Sequence, residues 1–274
     1  MAYLVRHMTH KANNNGRAKI TESLFGYATV RVEGFKQSIT FENTQNIKSP
    51  YTPENIAEIT YEIVSGFPDV SKRLLNQFKI HVNCWSESDA DDWMAASVKS
   101  KGWSDVQKGF INEVELGVQF DGTLKSIVNF AHELVHIAQF ASRRLRTLPY
   151  QDAKGEWRMK NAFAVAGKVI QKADRNNLPY EERVWEWEAY GMQGVLANAI
   201  MRMLGGDSIE MIQYTSKTNA WLDFCYNARN NLTVIEHCGW EHFGYEVKSA
   251  YGEAKKTKGM KKLSDMFVFQ ENAF

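Results

Sequence analysis

Residues 113–139 read EVELGVQFDGTLKSIVNFAHELVHIAQ, and the hydrophobic period changes within the stretch. Val114, Leu116, Val118 and Phe120 alternate with Glu113, Glu115, Gly117 and Gln119, the period of a half-buried strand. The second face of that strand is polar, so the pattern predicts a position at a sheet edge. Past Asp121-Gly122 the period lengthens to about 3.6. Thr123 can cap a helix running to about Arg146, with Ile127, Phe130, Ala131, Leu134, Ile137, Ala138 and Ala141 as its buried stripe.

Toward the N-terminus, Phe25 to Phe41 alternates β-branched and aromatic residues with polar ones, which predicts two short strands. Thr52-Pro53-Glu54 is a helix start, with Thr52 as N-cap and Pro53 in the first helical position. Ile56, Ile59 and Ile63 carry the helical spacing up to the break at Ser65 to Pro68, and a short helix is expected through Val70 to Leu75. Phe78, Ile80, Val82 and Cys84 then share a strand face, and Asp89 to Lys101 reads as an exposed helix closing at Gly102. Toward the C-terminus, helices are expected over Glu156 to Ala173 and from about Pro179 to Gly205-Gly206. Shorter helical pieces follow around Ile209 to Tyr214 and Trp221 to Ala228. The expected class is α+β in a single domain over 1–274, strands early and helices late. Its parts are a flexible arm over 1–20 (polar and basic at 10–19), a strand-rich part over 21–122, a helical part over 123–247 and a lysine-rich tail over 248–274.

Composition excludes more than it identifies. Across 274 residues, 33 Lys plus Arg face 32 Asp plus Glu, so no whole-chain field favours a nucleic acid or a membrane surface. No run reaches the roughly 18 apolar residues needed to span a bilayer. Arg6, His7 and His10 interrupt the place where a secretory leader would need an apolar core. Cys84, Cys225 and Cys238 are odd in number and far apart, which argues against a disulfide framework and for reducing cytoplasm.

The chemistry lies in His132-Glu133-Leu-Val-His136. Imidazoles four apart on a helix project from one face and can grip one tetrahedral ion. Glu133 is rotated from His132 by about 100°. It can therefore sit beside a zinc-bound water, take its proton and deliver it to a leaving amine. A catalytic zinc takes three protein ligands, and the helix PYEERVWEWEAYGMQ supplies Glu181, Glu182, Glu186 and Glu188 downstream. Glu186, between Trp185 and Trp187, is the chosen third ligand, with Glu188 in reserve. The competing reading is a surface helix whose two histidines are solvated or satisfied in the core.

HELVHIAQF together with WEWEAY resembles the gluzincin-type zinc metallopeptidases, in which HExxH on an active-site helix pairs with a glutamate on a later helix. It is also similar to uncharacterised metallopeptidases that bacteriophages encode. Where the later motif of such groups reads Glu-x-x-Ala-Asp, this chain has Glu186-Trp-Glu-Ala189-Tyr190, which again selects Glu186 and places a tyrosine where an aspartate orients a ligand histidine. The resemblance implies a zincin-like fold, a small twisted sheet whose edge strand pairs with the bound peptide above the active-site helix. Val114 to Phe120 is the candidate for that strand.

A donor to the oxyanion is needed as well. Tyr180, Arg183, Tyr190, His237 and His242 are candidates, and Tyr190 is named because it lies one turn past Glu186. His237-Cys238-Gly-Trp-Glu-His242 reads as a buried cysteine with two ordinary histidines rather than a second metal site. The lysines at Lys248, Lys255, Lys256, Lys258, Lys261 and Lys262 read as a solvated face. The expected activity is peptide hydrolysis with Zn2+ held by His132, His136 and Glu186, on a protein or peptide substrate. If the chain is phage-encoded, it would work in the host cytoplasm or with the virion. The rival expectation is a non-catalytic virion or host-interaction protein that keeps a zincin scaffold and meets a host or virion partner.

Overall fold

The computed structural model describes residues 16–67, 69–89, 96–100, 103–104, 109–110, 112–165, 168–174 and 183–206. Strands β1 (Ala18–Leu24), β2 (Tyr27–Val32), β3 (Ser38–Glu42), β4 (Lys79–Cys84), β5 (Ala96–Ser100) and β8 (Glu113–Val118) form one six-stranded sheet. The two-residue strands β6 (Trp103–Ser104) and β7 (Gly109–Phe110) pair between β5 and β8 in sequence. The main sheet has the order β1-β2-β3-β4-β8-β5. Its central pairs β3/β4 and β4/β8 are parallel, and the remaining pairs are antiparallel. A parallel pair needs a long crossover. Between β3 and β4 that crossover carries helices α1 (Pro53–Gly66) and α2 (Lys72–Leu75).

The α1 start follows the expected chemistry: Thr52 Oγ1 accepts from the Asn55 amide at 3.3 Å, and Asn55 Oδ1 accepts from the Thr52 amide at 2.7 Å. This is a reciprocal cap with asparagine in the role usually taken by Glu or Gln. Ile56, Ile59 and Ile63 point into the core, as the spacing requires. Alternation does the same for the strands: Ile39 and Phe41, Ile80, Val82 and Cys84, and Val114, Leu116 and Val118 are all buried. Helix α3 (Leu124–Ala141) lies against β5 and β8, capped by Thr123, whose Oγ1 accepts from the Ser126 amide at 3.2 Å. Burying its Ile127, Phe130, Leu134 and Ile137 side chains contributes about 1.5–3 kcal/mol each. Helix α4 (Val184–Met203) packs on α3 and buries Trp185, Ala189, Met192, Leu196 and Ile200. It stops where Gly205, at φ 80°, allows the Gly206 amide to return to the Met201 carbonyl at 2.9 Å.

The class is α+β, with the large sheet in the N-terminal half and a long helix ending the described part. Four readings are corrected. The arm gives way to strand by Ala18, which is buried and pairs with Val32. The helix expected over Asp89 to Lys101 is instead β5 where described, because Ala96 to Ser100 complete the ladder beside β8. Val114 to Phe120 is therefore no edge: β8 lies between β4 and β5, and its polar residues are only half exposed. Tertiary pairing also overrides helix propensity over Glu156 to Ala173. There, β9 (Leu145–Gln151), β10 (Trp157–Val165) and β11 (Lys168–Asp174) form an antiparallel sheet of order β11-β10-β9, so the part read as helical is broken by three strands. The turn Asp152 to Gly155 closes its first hairpin, with Asp152 Oδ1 accepting from the Lys154 amide at 2.9 Å. The expected arm before residue 16, the helical pieces after Gly206 and the lysine tail lie outside the described residues. Among the described residues, no helix is long and apolar enough to cross a membrane.

Candidate metal centre

Helices α3 and α4 bring the expected ligands together. His132 and His136 stand one turn apart on α3, and Glu186 sits in the first turn of α4, where the helix N-terminus favours a carboxylate. His132 Nε2, His136 Nε2 and Glu186 Oε2 form a triangle with all three sides 3.2 Å. Tetrahedral ligands about 2.0 Å from an ion stand about 3.3 Å apart, so the triangle is one face of such a shell. All three residues are buried, and among the described residues this is the group of His, Cys, Asp and Glu side chains close enough to hold a metal ion. Two imidazole nitrogens and one carboxylate oxygen are a donor set that suits zinc and other divalent first-row ions.

The electrostatics are those of a coupled cluster. Burial alone would raise Glu186, yet the His136 charge and hydrogen bonds from both imidazoles hold its carboxyl well below the usual range. Burial would lower His136, but Glu186 pushes it up to about 9. Glu133, one residue beyond His132, is raised chiefly by burial and only partly restrained by the two histidines. Its carboxylate also accepts the Val98 amide of β5, which ties it to the edge strand of the sheet.

The two carboxylates left open by sequence separate cleanly. Glu186 faces the histidines. Glu188 is buried on the other side, where Arg144 donates to its two oxygens at 2.6 and 3.0 Å. Arg144 also pairs with Asp69 and lies over the Phe163 ring, 5.7 Å from its centre. Tyr190 is half-buried and meets the His132 ring edge-on, with centroids 4.8 Å apart. Arg183 precedes the first turn of α4, its carbonyl accepting from the Glu186 amide at 3.0 Å. Tyr180, Glu181, Glu182, His237 and His242 lie outside the described residues, as does the Trp187 side chain.

Sequence reasoning missed the residues that orient the ligands. His132 Nδ1 is 3.0 Å from Gln193 Oε1, and His136 Nδ1 is 2.9 Å from Gln139 Oε1. Both could have been found by spacing, because Gln139 lies three residues past His136 and Gln193 lies seven past Glu186, each on the ligand's own helix face. Arg144, Asp69 and Val98 left no local signal; each enters through a partner distant in sequence. No family model, curated protein or solved structure matches the chain.

Proposed function

We propose that this chain is a zinc-dependent metallopeptidase on a zincin-like scaffold, with His132, His136 and Glu186 as metal ligands and Glu133 as general base. The observation that carries the reading is the closed, buried triangle of three donor atoms at 3.2 Å, with a second buried carboxylate, Glu133, next to His132 on the same helix. An ion held there supplies Lewis-acid polarisation of a peptide carbonyl and a more acidic water. Glu133 then takes the proton of the attacking water and passes it to the departing amine, a role its raised affinity for a proton suits. The Val98 amide holds that carboxylate at the margin of β5. Because β5 rather than β8 ends the sheet, an extended substrate would pair along Ala96 to Ser100. Tyr190 is the proposed donor to the oxyanion, standing against His132 one turn beyond Glu186.

The test is metal content together with hydrolysis. The purified protein should hold one zinc per chain and cleave unfolded protein substrates. Glu133→Gln should retain the zinc while activity falls about 10²–10⁴-fold. A chain without stoichiometric metal ends the proposal. Metal without cleavage of any unfolded protein supports the non-catalytic scaffold instead.

A further inference from the structure

Gln139 is fully shut from solvent and makes three polar contacts. Its Nε2 donates to the Trp185 carbonyl and to Glu188 Oε2, each at 2.9 Å, and its Oε1 lies 2.9 Å from His136 Nδ1. A carboxamide has two N–H protons, and both are committed here to groups that only accept. The oxygen is left for His136, so the proton between them must sit on Nδ1. An imidazole protonated at Nδ1 presents the lone pair of Nε2, the atom that faces His132 and Glu186.

The carboxamide is itself held from behind. Glu188 is gripped by Arg144 at two oxygens, and Arg144 is pinned by Asp69. The turn that ends α3 places this arginine. Arg143 adopts φ 64°, the Arg143 amide reaches the Phe140 carbonyl at 2.9 Å, and the Arg144 amide reaches the Gln139 carbonyl at 2.9 Å. These are the two bonds of a Schellman turn, whose last residue folds back on the third from the helix end. Gln139 is thus tied to Arg144 twice, by backbone directly and by side chain through Glu188.

We infer that Gln139 is a positioning residue for the metal centre: the Asp69–Arg144–Glu188 chain locks its carboxamide, and the locked carboxamide holds His136 in the tautomer that offers Nε2 to an ion. The inference rests on the metal-binding half of the function proposed above and deepens it. It also makes an unusual demand. A ligand histidine ordinarily benefits from a carboxylate partner. At position 139 a carboxylate would set a second acceptor against Glu188 with no N–H between them, so the stronger acceptor should fail unless Glu188 is replaced by a donor too.

The experiment measures zinc dissociation constants of the full chain by competition with a chromophoric chelator, alongside ¹⁵N shifts of the zinc-loaded His136 ring. Gln139→Met should weaken zinc binding about 10–100-fold. Gln139→Glu should weaken it comparably, and adding Glu188→Gln should recover most of the loss. In the unaltered protein His136 should be coordinated through Nε2 with Nδ1 protonated. Coordination through Nδ1 overturns the inference, and that measurement stands even if a variant does not fold. So does a Gln139→Met chain that binds within about threefold of the original, or a Gln139→Glu chain that needs no second change. A parent chain that binds no zinc instead sinks the metal reading itself.

Discussion

Glu186 and Glu188 stand two residues apart on α4, both buried, and truncating them should damage the protein in opposite ways. Removing Glu188 takes from buried Arg144 the carboxylate it grips at two oxygens, and a guanidinium cannot shed its proton. Glu188→Ala should therefore cost about 3–5 kcal/mol in urea unfolding of the metal-free chain. Removing Glu186 leaves two imidazoles that can become neutral, so Glu186→Ala should unfold at nearly the parent urea concentration. Its zinc affinity should fall by more than the roughly 10–100-fold typical of losing a group that only supports a ligand. If the two variants exchange these behaviours, the ligand assignment is wrong. Tyr190→Phe belongs to the same scale: keeping the ring against His132 but losing the hydroxyl should lower kcat about 10²-fold with zinc retained. At this scale the ligands were legible because HExxH is a spacing within one helix turn, and a carboxylate between tryptophans was an unusual neighbourhood. Gln139 was in plain view beside the motif. Its role depends on Glu188 and Trp185, more than forty residues further along the chain.

Elements are legible where a cap, a breaker and a period agree, as in α1 behind Thr52-Pro53 and α4 before Gly205-Gly206. They are not legible where composition favours helix and tertiary pairing makes a strand. Ala96 to Ser100 lies in a stretch rich in alanine and charge, yet it becomes the edge of the sheet because β8 offers it a ladder. Trp157 to Phe163 carries helix formers but also a strand alternation that the Asp152 to Gly155 turn converts into a hairpin. Arg143 occupies a left-handed position that suits glycine, so Arg143→Gly should raise stability by about 1 kcal/mol in thermal or urea unfolding. A loss of stability would mean the arginine side chain matters more than its backbone strain. Val98 lies on the edge strand and donates its amide to Glu133, so a proline there removes that donor at a position where sheets tolerate proline. Val98→Pro should keep full zinc content yet lower kcat/KM about 10–100-fold, the worth of a hydrogen bond to a charged group.

At the scale of the whole molecule, the near-balance of 33 basic and 32 acidic residues conceals where charge is used: Arg144, Glu186 and Glu188 are buried around one helix pair, with Asp69 half-buried beside them. The sheet order could not be read from sequence, since β5 and β8 enter it out of chain order and each pairing spans a loop. What the assembled core does settle is the expected consequence of metal removal. A single apolar cluster runs from Ala18 through both faces of α3 to Ile200, and it owes nothing to an ion. In the metal-free centre Glu186 raises the proton affinity of His136, so a doubly protonated His136 donates from Nε2 to Glu186 Oε2 at 3.2 Å and the carboxylate keeps a partner. Zinc should therefore add only its linkage energy, about 4 kcal/mol at a thousandfold excess over Kd, and its removal should leave the fold standing. Cys84 gives the readout. It is buried at the end of β4, and burial pushes its thiol up to about 12, so it reacts only when the sheet opens. Alkylation at pH 8 followed by peptide mapping should find Cys84 unmodified in both the zinc-loaded and the chelator-treated chain, and modified in urea. Rapid labelling of Cys84 on chelation alone would show that the ion holds the fold together, and the centre would then be structural rather than catalytic.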